Sequence, residues 1–312
     1  MTKKDEIYLV PKPIVSDFSF GQETAAVFDD MLDRSVPFYA EIQRMITELV
    51  GDFAVDGSNV YDLGCSTCAT FRRLSDVDRD VTFVGIDDSQ AMLDRGREIL
   101  EASGFSRRYE LQHRDLHEGL DIHNASVVIL CLTLQFVRPL HRERLMRAIH
   151  EGLNPQGCVI VVEKVLASET LMNRFFIKHY YDMKRRNGYS EIEIAQKREA
   201  LENVLIPYRL DENVQLLARA GFREPEIFFK WYNFCGLVAV KWASLPGGRS
   251  RASTTDSAAS SSATATGSRP SAACCCWASR RRARSSATRA STRGRTRSAS
   301  PSARSARRCA SP

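Results

Sequence analysis

The stretch VYDLGCSTCATF at residues 60–71 has the pattern of a buried strand that runs into a glycine loop and a helix start. In doubly wound sheets the ligand lies at the carboxyl ends of the strands, where glycine lets the backbone turn tightly and approach it. Gly64 stands at this point, and Cys68 occupies the last position at which such a loop normally has glycine. The stretch therefore predicts a nucleotide-type loop. The Cys68 thiol either fits after a slight shift of the helix start or crowds the ligand.

Strand and helix patterns alternate around this loop, which predicts a parallel sheet wrapped by helices. Ser89 is the expected cap of one helix, and Asp211 and Gly221 are expected to bound the last helix. The predicted class is α/β: a doubly wound Rossmann-like sheet, mostly parallel with an antiparallel last strand, with extra N-terminal and inserted helices. The predicted strands are 59–63, 81–87, 109–115, 125–132, 158–165, 225–233 and 234–242, and the predicted helical segments are 22–33, 38–51, 89–103, 141–157, 168–205 and 211–222.

Acidic residues stand at the ends of three successive predicted strands, beginning with Asp62 before the loop. Asp87 comes 23 residues after Gly64, where an acid usually accepts hydrogen bonds from the two ribose hydroxyls. Asp115 is placed to meet an adenine amino group. The loop lacks G-x-G-x-x-G, so an adenosyl group without a pyrophosphate is favoured over a dinucleotide. The alternative is a Rossmann-like domain whose acids merely cap helices.

The formal net charge of +6 combines two regions of opposite sign. Residues 246–312 hold fourteen arginines, no lysine and one acid, which gives +13; residues 1–245 hold 30 basic and 37 acidic residues, which gives −7. Residues 246–312 also lack Leu, Ile, Val, Phe, Tyr and Met. This segment therefore cannot bury enough apolar surface to offset the conformational entropy lost on folding. We predict a Rossmann-like domain at 1–245 and a disordered Arg/Ser/Ala-rich tail at 246–312. The tail is either an end read in a shifted frame, which its composition favours, an unselected extension, or an RNA-binding segment.

The cysteines and histidines give no metal-site spacing. The five domain cysteines have no zinc-ligand pairing with nearby histidines, so we predict no metal. The Cys65-x-x-Cys68 pattern is also found at redox sites, but its position in a loop between a strand and a helix favours a structural role. We expect these thiols to be reduced, as in cytosolic proteins. The opening MTKKDEIYLV lacks a secretory apolar core, and the run VVILCL at 127–132 is too short to span a bilayer. These features predict a cytoplasmic protein without a membrane segment.

Several longer blocks carry a more specific signal: FDDMLDRSVPFY, VYDLGCST, LTLQF, GLNPQG, KRRNGYSEIEIAQKREALENVL and YNFCGLVAVK. The acid-loop pattern resembles a class I S-adenosylmethionine-dependent methyltransferase domain. The blocks resemble the carboxy-S-adenosyl-L-methionine synthase family from about residue 5 to 242. The resemblance implies that residues 1–245 form an S-adenosyl-L-methionine-binding transferase domain. It implies conversion of S-adenosyl-L-methionine and prephenate to carboxy-S-adenosyl-L-methionine and phenylpyruvate, instead of methylation.

The resemblance also implies how this reaction proceeds and where its product goes. Prephenate loses carbon dioxide and hydroxide; the hydroxide removes a methyl proton of the cofactor, and the resulting carbanion captures the carbon dioxide. The protein must then hold both reactants and exclude water. The product supplies a carboxymethyl group to a hydroxyuridine at the wobble position of certain tRNAs through a separate enzyme. No direct nucleic-acid contact is therefore needed for the core activity, and the family suggests a homodimer.

The family's ligand contacts carry over to ten positions of this chain. Asp88 replaces an asparagine that is common in the family, which is a mild change. Cys131 stands where the family usually has asparagine, so one donor and one acceptor are lost. The cofactor-binding residues implied in this way are Tyr39, Gly64, Cys65, Ser66, Asp87, Asp88, Asp115, Leu116, Cys131 and Arg198. Arg34 and Lys164 are weaker candidates for binding prephenate.

Arg198 is the predicted catalytic residue. Ser190 and Glu193 form a capping-box pattern, and Ile194, Arg198, Leu201 and Leu205 then share helical spacing. An arginine within an apolar stripe is expected to be half-buried and to face an anion, because its planar fork binds a carboxylate at two points. Spacing alone equally allows a structural ion pair or a side chain that reaches solvent. The family resemblance favours the ligand role.

Three functions remain open from the sequence. The first is the carboxylating synthase, the second an ordinary methyltransferase of a small acid or RNA, and the third a catalytically impaired S-adenosyl-L-methionine-binding module. Product analysis with and without prephenate distinguishes them.

Overall fold

The computed structural model of the protein describes residues 3–242. The strands are β1 Asn59–Leu63, β2 Thr82–Asp87, β3 Tyr109–His113, β4 Ala125–Cys131, β5 Leu153–Leu166, β6 Tyr208–Arg209, β7 Arg223–Trp231 and β8 Phe234–Val240. The predicted tail at 246–312 lies outside the described residues, and the predicted boundary after residue 245 stays a prediction.

The sheet order is β3-β2-β1-β4-β5-β8-β7, with β6 paired to β5. Neighbouring strands from β3 to β5 are parallel, whereas β8 is antiparallel to both β5 and β7. The chain order reverses between β1 and β4, which creates the crevice where doubly wound sheets bind ligands. The predicted fold class is confirmed, including the antiparallel last strand.

The helices are α1 Gln22–Ser35, α2 Tyr39–Phe53, α3 Ala69–Arg73, α4 Gln90–Ala102, α5 Pro139–Gly152, α6 Thr170–Arg186, α7 Glu191–Leu201 and α8 Leu210–Ala220. Ser89 caps α4 by accepting from the Met92 N–H, and Gly221 ends α8 in the left-handed conformation, as predicted. The predicted Asp211 cap is wrong, because the N-cap of α8 is Arg209, two residues earlier in the chain. Within residues 3–242, no helix combines the length and apolarity needed to cross a membrane.

Two apolar layers cover the two faces of the sheet. The central strands β1 and β4 are therefore buried on both sides. One layer packs α5 and α8 on side chains such as Val128 and Leu237, and the other packs α2 to α4 on side chains such as Val60 and Ile160. A third, smaller cluster joins the N-terminal segment to α1 and α7 around Tyr8. This third cluster closes one side of the crevice described next.

Candidate cofactor-binding site

A pocket opens at the carboxyl ends of β1, β2 and β4, beneath the N-terminal segment and α1. Nine of the ten predicted binding residues line it. They are Tyr39, Gly64, Cys65, Ser66, Asp87, Asp88, Asp115, Leu116 and Cys131. Contact between each of these residues and a ligand stays a prediction, but the fold brings them to one place.

The Gly64 loop forms the floor of this pocket. Gly64 has φ +75°, and the N–H groups of Gly64 and Cys65 donate to the Ile86 carbonyl at 2.7 and 3.1 Å. A Cβ on Gly64 would lie 2.5 Å from Thr133 Cγ2 and Oγ1. Glycine is therefore required both by the backbone conformation and by the close approach of Thr133.

Asp87 is held rigidly at the end of β2. Its Oδ2 accepts from the Ser66 N–H and its Oδ1 from the Ser89 N–H, both at 2.9 Å. Burial raises the pKa of Asp87 to about 6, although these two hydrogen bonds oppose the rise. Each carboxylate oxygen has further lone pairs, so the side chain is oriented to accept from a diol in the pocket.

Asp62 also lines the pocket, although the sequence reasoning did not place it among the binding residues. Its Oδ2 is buried without a hydrogen-bond partner in the described part of the chain. Burial raises its pKa to about 7, opposed by a hydrogen bond from Thr70 and reinforced by the nearby charge of Asp87. A buried acceptor without a partner at a pocket wall is suited to a ligand that brings a donor or a positive charge.

The turn after β3 supplies the other end of the pocket. Asp115 Oδ1 accepts from the His117 N–H at 2.8 Å and lies 2.6 Å from His117 Nδ1. Partial burial raises the pKa of Asp115, but the two His117 bonds outweigh it, and the net pKa is lowered. His113 Nε2 lies 2.9 Å from the Asp88 carbonyl oxygen and fixes the neighbouring backbone. Asp115 is therefore ionised and oriented at neutral pH.

Comparisons with known proteins agree with this geometry. The profile of a family described as "Methyltransferase domain" matches residues 60–157. A carboxy-S-adenosyl-L-methionine synthase of Methylococcus capsulatus is 55% identical over 240 residues, which are 76% of this chain and 99% of that protein. The chain belongs to the carboxy-S-adenosyl-L-methionine synthase family. The synthase of Desulfotalea psychrophila is 43% identical over 77% of this chain and 98% of its own length.

Membership of the synthase family confirms the predicted enzyme class and its S-adenosyl-L-methionine dependence. Among solved structures, a putative S-adenosyl-L-methionine-dependent methyltransferase of Methanococcus maripaludis is similar with a TM-score of 0.50. It is 16% identical, over 75% of this chain and 99% of that chain. At this identity the likeness supports the fold alone.

Cys68, the unusual residue of the loop, points away from the pocket. Its backbone is left-handed, with φ 58°, and its thiol is fully buried. The sulfur lies 2.7 Å from the position that a Cβ on Gly96 would take, so it packs on α4. The structure therefore favours the first of the two sequence alternatives: the synthase loop accommodates the thiol at a cost in backbone strain, without crowding the ligand.

Cys131 and Tyr39 share one polar neighbour in the synthase pocket. Gln43 Nε2 donates to the Tyr39 hydroxyl at 3.1 Å and lies 3.6 Å from Cys131 Sγ. Burial raises the pKa of both the thiol and the phenol, so both are protonated at neutral pH. Gln43 Oε1 is buried without a partner among residues 3–242. Because the Cys131 thiol is only a weak hydrogen-bond donor, the polar groups around Gln43 are not fully hydrogen-bonded.

The expectation that Arg198 is half-buried is wrong. The side chain is exposed and does not line the pocket. The buried face of α7 is instead partly polar, because Gln196 donates to the Tyr8 and Val10 carbonyls at 2.9 and 3.0 Å. The apolar members of the predicted stripe do lie inward, since Ile194 is buried and Leu201 packs on the third cluster, but Arg198 lies outside the buried face. A catalytic role for Arg198 stays a prediction, which an Arg198→Ala variant tests.

Lysines stand where an arginine was expected. Lys197, next to Arg198 and on the buried face of α7, lines the pocket together with Lys164 of β5. Arg34 is engaged elsewhere: it pairs with Asp30 at 2.8 Å and lies over the Tyr189 ring at 4.0 Å. No local sequence signal marks Lys197 as buried, because its partner Asp5 lies far earlier in the chain.

Within residues 3–242, no group of three or more His, Cys, Asp or Glu side chains is placed to hold a metal ion. The predicted absence of a metal stays a prediction.

Proposed function

We propose that this chain carboxylates S-adenosyl-L-methionine, with prephenate as the carboxyl donor and phenylpyruvate as the second product. The observation that carries the proposal is the convergence of nine predicted binding residues in one pocket at the switch point of the sheet. The match to a named synthase over 99% of that protein's length supports the same reaction.

The pocket residues fit S-adenosyl-L-methionine. Asp87 presents a fixed carboxylate to the ribose diol, and the Asp115 turn presents polar groups to the adenine. The unpartnered Asp62 oxygen suits a positively charged group of the cofactor. When bound, the cofactor supplies a sulfonium whose methyl protons are acidic. The loop has room for an adenosyl group but no glycine pattern for a pyrophosphate.

Aromatic side chains cover part of this pocket. Phe20 packs edge to face on Phe18 and Phe136, with ring centroids 5.0 and 5.1 Å apart. The Ser89 hydroxyl donates to the Phe20 carbonyl and ties the cover to the start of α4. Exclusion of water protects a reactive carbon centre and keeps both reactants close, so positioning supplies much of the catalysis.

The test is product analysis of the purified full chain. It is incubated with S-adenosyl-L-methionine, with and without prephenate, and the products are identified by mass spectrometry. We expect a cofactor product heavier by one carboxyl group that appears when prephenate is present. S-adenosylhomocysteine as the main product would favour the ordinary methyltransferase, and binding without turnover would favour the impaired module.

We also propose that the product serves the carboxymethyl modification of tRNA wobble uridines in the cytoplasm, through a separate enzyme. The net charge of −7 over residues 1–245 supports a core activity without direct nucleic-acid contact. We expect added tRNA to leave the rate of product formation unchanged. A tRNA-dependent rate would contradict this part of the proposal.

A homodimer is proposed as well. Exposed apolar side chains gather on α6, where Leu171, Met172 and Phe175 are 62%, 44% and 46% exposed. Such a cluster is typical of a surface that another chain covers. Analytical ultracentrifugation should give a dimer for the full chain and a monomer for Phe175→Lys. A monomeric wild type would contradict the proposal.

A further inference from the structure

Three lysines converge behind the cofactor pocket from three elements of the fold. Lys164 lies at the carboxyl end of β5, Lys184 on α6 and Lys197 on α7. Lys184 and Lys197 are only 4% and 6% exposed. The Lys164 ammonium lies 4.5 Å from the Tyr180 ring centroid, and the Lys184 ammonium lies 5.9 Å from that same centroid. We call Lys164, Lys184 and Lys197 the lysine cluster.

The lysine cluster has too few acidic partners. Lys197 Nζ lies 3.5 Å from Asp5 Oδ2, yet it is buried without a hydrogen bond in the described part of the chain. The same Asp5 oxygen also accepts from the Tyr189 hydroxyl at 2.6 Å. Neither Lys164 nor Lys184 has a carboxylate within ion-pair distance among residues 3–242. Asp5 is therefore the one carboxylate within ion-pair distance of the lysine cluster among residues 3–242, while Glu193 and Asp30 act on Lys184 and Lys197 from farther away.

Burial lowers the pKa of all three groups, and repulsion from a nearby cation adds to the effect in each case, with Arg34 as that cation for Lys197. Burial lowers the pKa of Lys164 to about 8, and the nearby charge of Lys197 adds to the effect. Burial likewise lowers the pKa of Lys184 to about 7, with repulsion from Lys197 and Lys164. For Lys197 burial lowers the pKa to about 8, although Asp5 opposes it. A buried charge without a full set of opposite charges costs free energy, so an anion that enters the pocket beside the lysine cluster would be strongly stabilised.

Two members of the lysine cluster reach the cofactor pocket. Lys164 and Lys197 line the same pocket as the cofactor residues, and so do the apolar side chains of Phe18, Tyr180 and Phe234. Lys164 is fixed by its backbone, whose N–H donates to Gln135 Oε1 at 3.1 Å. This part of the pocket therefore has two positive groups next to a largely aromatic wall.

We propose that Lys164 and Lys197 bind the two carboxylates of prephenate, the second substrate proposed above, with its ring against the aromatic wall of the pocket. Lys184 lies behind them and adds positive potential without touching the substrate. The inference deepens the proposed function and rests on it, since it assigns the residues that recognise the carboxyl donor. Lys164 was already a weaker candidate from the sequence, Lys197 is new, and the predicted role of Arg198 stays a separate prediction.

The test compares Lys164→Met, Lys197→Met and the matched control Lys178→Met, which removes an exposed lysine of α6. A charge-assisted hydrogen bond is worth about 1.5 to 3 kcal/mol, so each inward variant should raise KM for prephenate roughly 10- to 150-fold. Affinity for S-adenosyl-L-methionine, measured by calorimetry, should change by less than about twofold. The control should behave as wild type in both measurements.

A second readout does not depend on turnover. Malonate should raise the Tm of the wild type and of Lys178→Met in the presence of the cofactor, but not that of Lys164→Met or Lys197→Met. If wild type forms no carboxylated product from prephenate yet malonate still protects it in this lysine-dependent way, the proposed function fails and the dicarboxylate site stands.

Two results would overturn the inference itself. One is a loss of cofactor affinity in both inward variants with an unchanged KM for prephenate, because the lysines would then bind the cofactor's own carboxylate. The other is equal malonate protection of the wild type and both inward variants. Lys164→Met removes a cation that has no carboxylate within ion-pair distance among residues 3–242, so it should not lower the Tm of the ligand-free protein. Lys197→Met also takes away the cation beside the buried Asp5 carboxylate and should lower that Tm, so each variant is judged by the shift in Tm that malonate adds to its own ligand-free value.

Discussion

Replacing Asp87 by asparagine removes a charge while keeping the shape of the side chain. Both carboxylate oxygens already hold backbone N–H groups, from Ser66 and Ser89 at 2.9 Å. An asparagine has one acceptor oxygen, so its amide group must face one of these donors or the ribose. The loop at Ser66 should therefore loosen, and the ribose diol should lose one charge-assisted bond and keep a weaker one.

The expected loss of cofactor affinity follows from these bonds. Hydrogen bonds to charged groups contribute about 1.5 to 3 kcal/mol each, so we expect a loss of about 2 to 3 kcal/mol. This corresponds to a roughly 30- to 150-fold higher Kd for S-adenosyl-L-methionine. Isothermal titration calorimetry measures it directly. Asp88→Asn is the matched control, because it introduces the family's common residue next door and should change Kd less than about threefold.

The pH dependence gives an independent check of the same carboxylate. The pKa of Asp87 is raised to about 6 by burial, and the ribose hydroxyls donate to the ionised form. Wild-type affinity should therefore rise as pH increases from 5 to 6, whereas Asp87→Asn should lack this rise and keep only the dependence near pH 7 that Asp62 contributes to both proteins. Folded Asp87 keeps its proton between about pH 4 and 6 where the unfolded chain has lost it, so its contribution to the free energy of unfolding falls as pH rises through that window. A Kd within threefold of wild type, or the same pH slope in both proteins, would refute the assigned role.

Three further predictions concern the loop, the pocket wall and the tail. Gly64→Ala should destabilise the fold by at least about 1 to 2 kcal/mol in urea unfolding and abolish cofactor binding, because of its φ of +75° and the clash with Thr133. Gly104→Ala has a similar φ of +69° but no atom within 4 Å, so it should show the strain alone and bind normally. Cys131→Asn should tighten cofactor binding severalfold in calorimetry, and an unchanged or weaker Kd would contradict a ligand contact there. Deleting 246–312 should leave carboxylated product formation unchanged, and a lost activity would show that the predicted boundary is wrong.

The cofactor half of the site was predictable because its geometry is local. Parallel strands end at one edge of the sheet, so a residue that follows a recognisable strand has a known position. Asp87 and Asp115 each follow such a strand, and Gly64 follows the first one. No long-range contact was needed to bring them together beyond the sheet itself.

The α7 helix was misjudged because its buried face is polar. Apolar periodicity assumes that a helix packs on an apolar core, and here Gln196 and Lys197 pack on the N-terminal segment. Their partners, Tyr8, Val10 and Asp5, lie nearly two hundred residues earlier in the chain. No pattern inside the helix reveals such partners, whereas the cap at Ser190 is local and was predicted.

The two halves of the pocket oppose each other electrically. On the cofactor side, burial raises the pKa of Asp62 to about 7 and of Asp87 to about 6. On the other side, burial lowers the pKa of Lys164 and Lys197 to about 8. In the ligand-free protein the pKa of each of these four groups is shifted toward the neutral form, and a ligand of opposite charge would oppose that shift. A cationic cofactor on the acids and a dianion on the lysines would also attract each other across a pocket with apolar walls. Binding of the two reactants should therefore be mutually reinforcing.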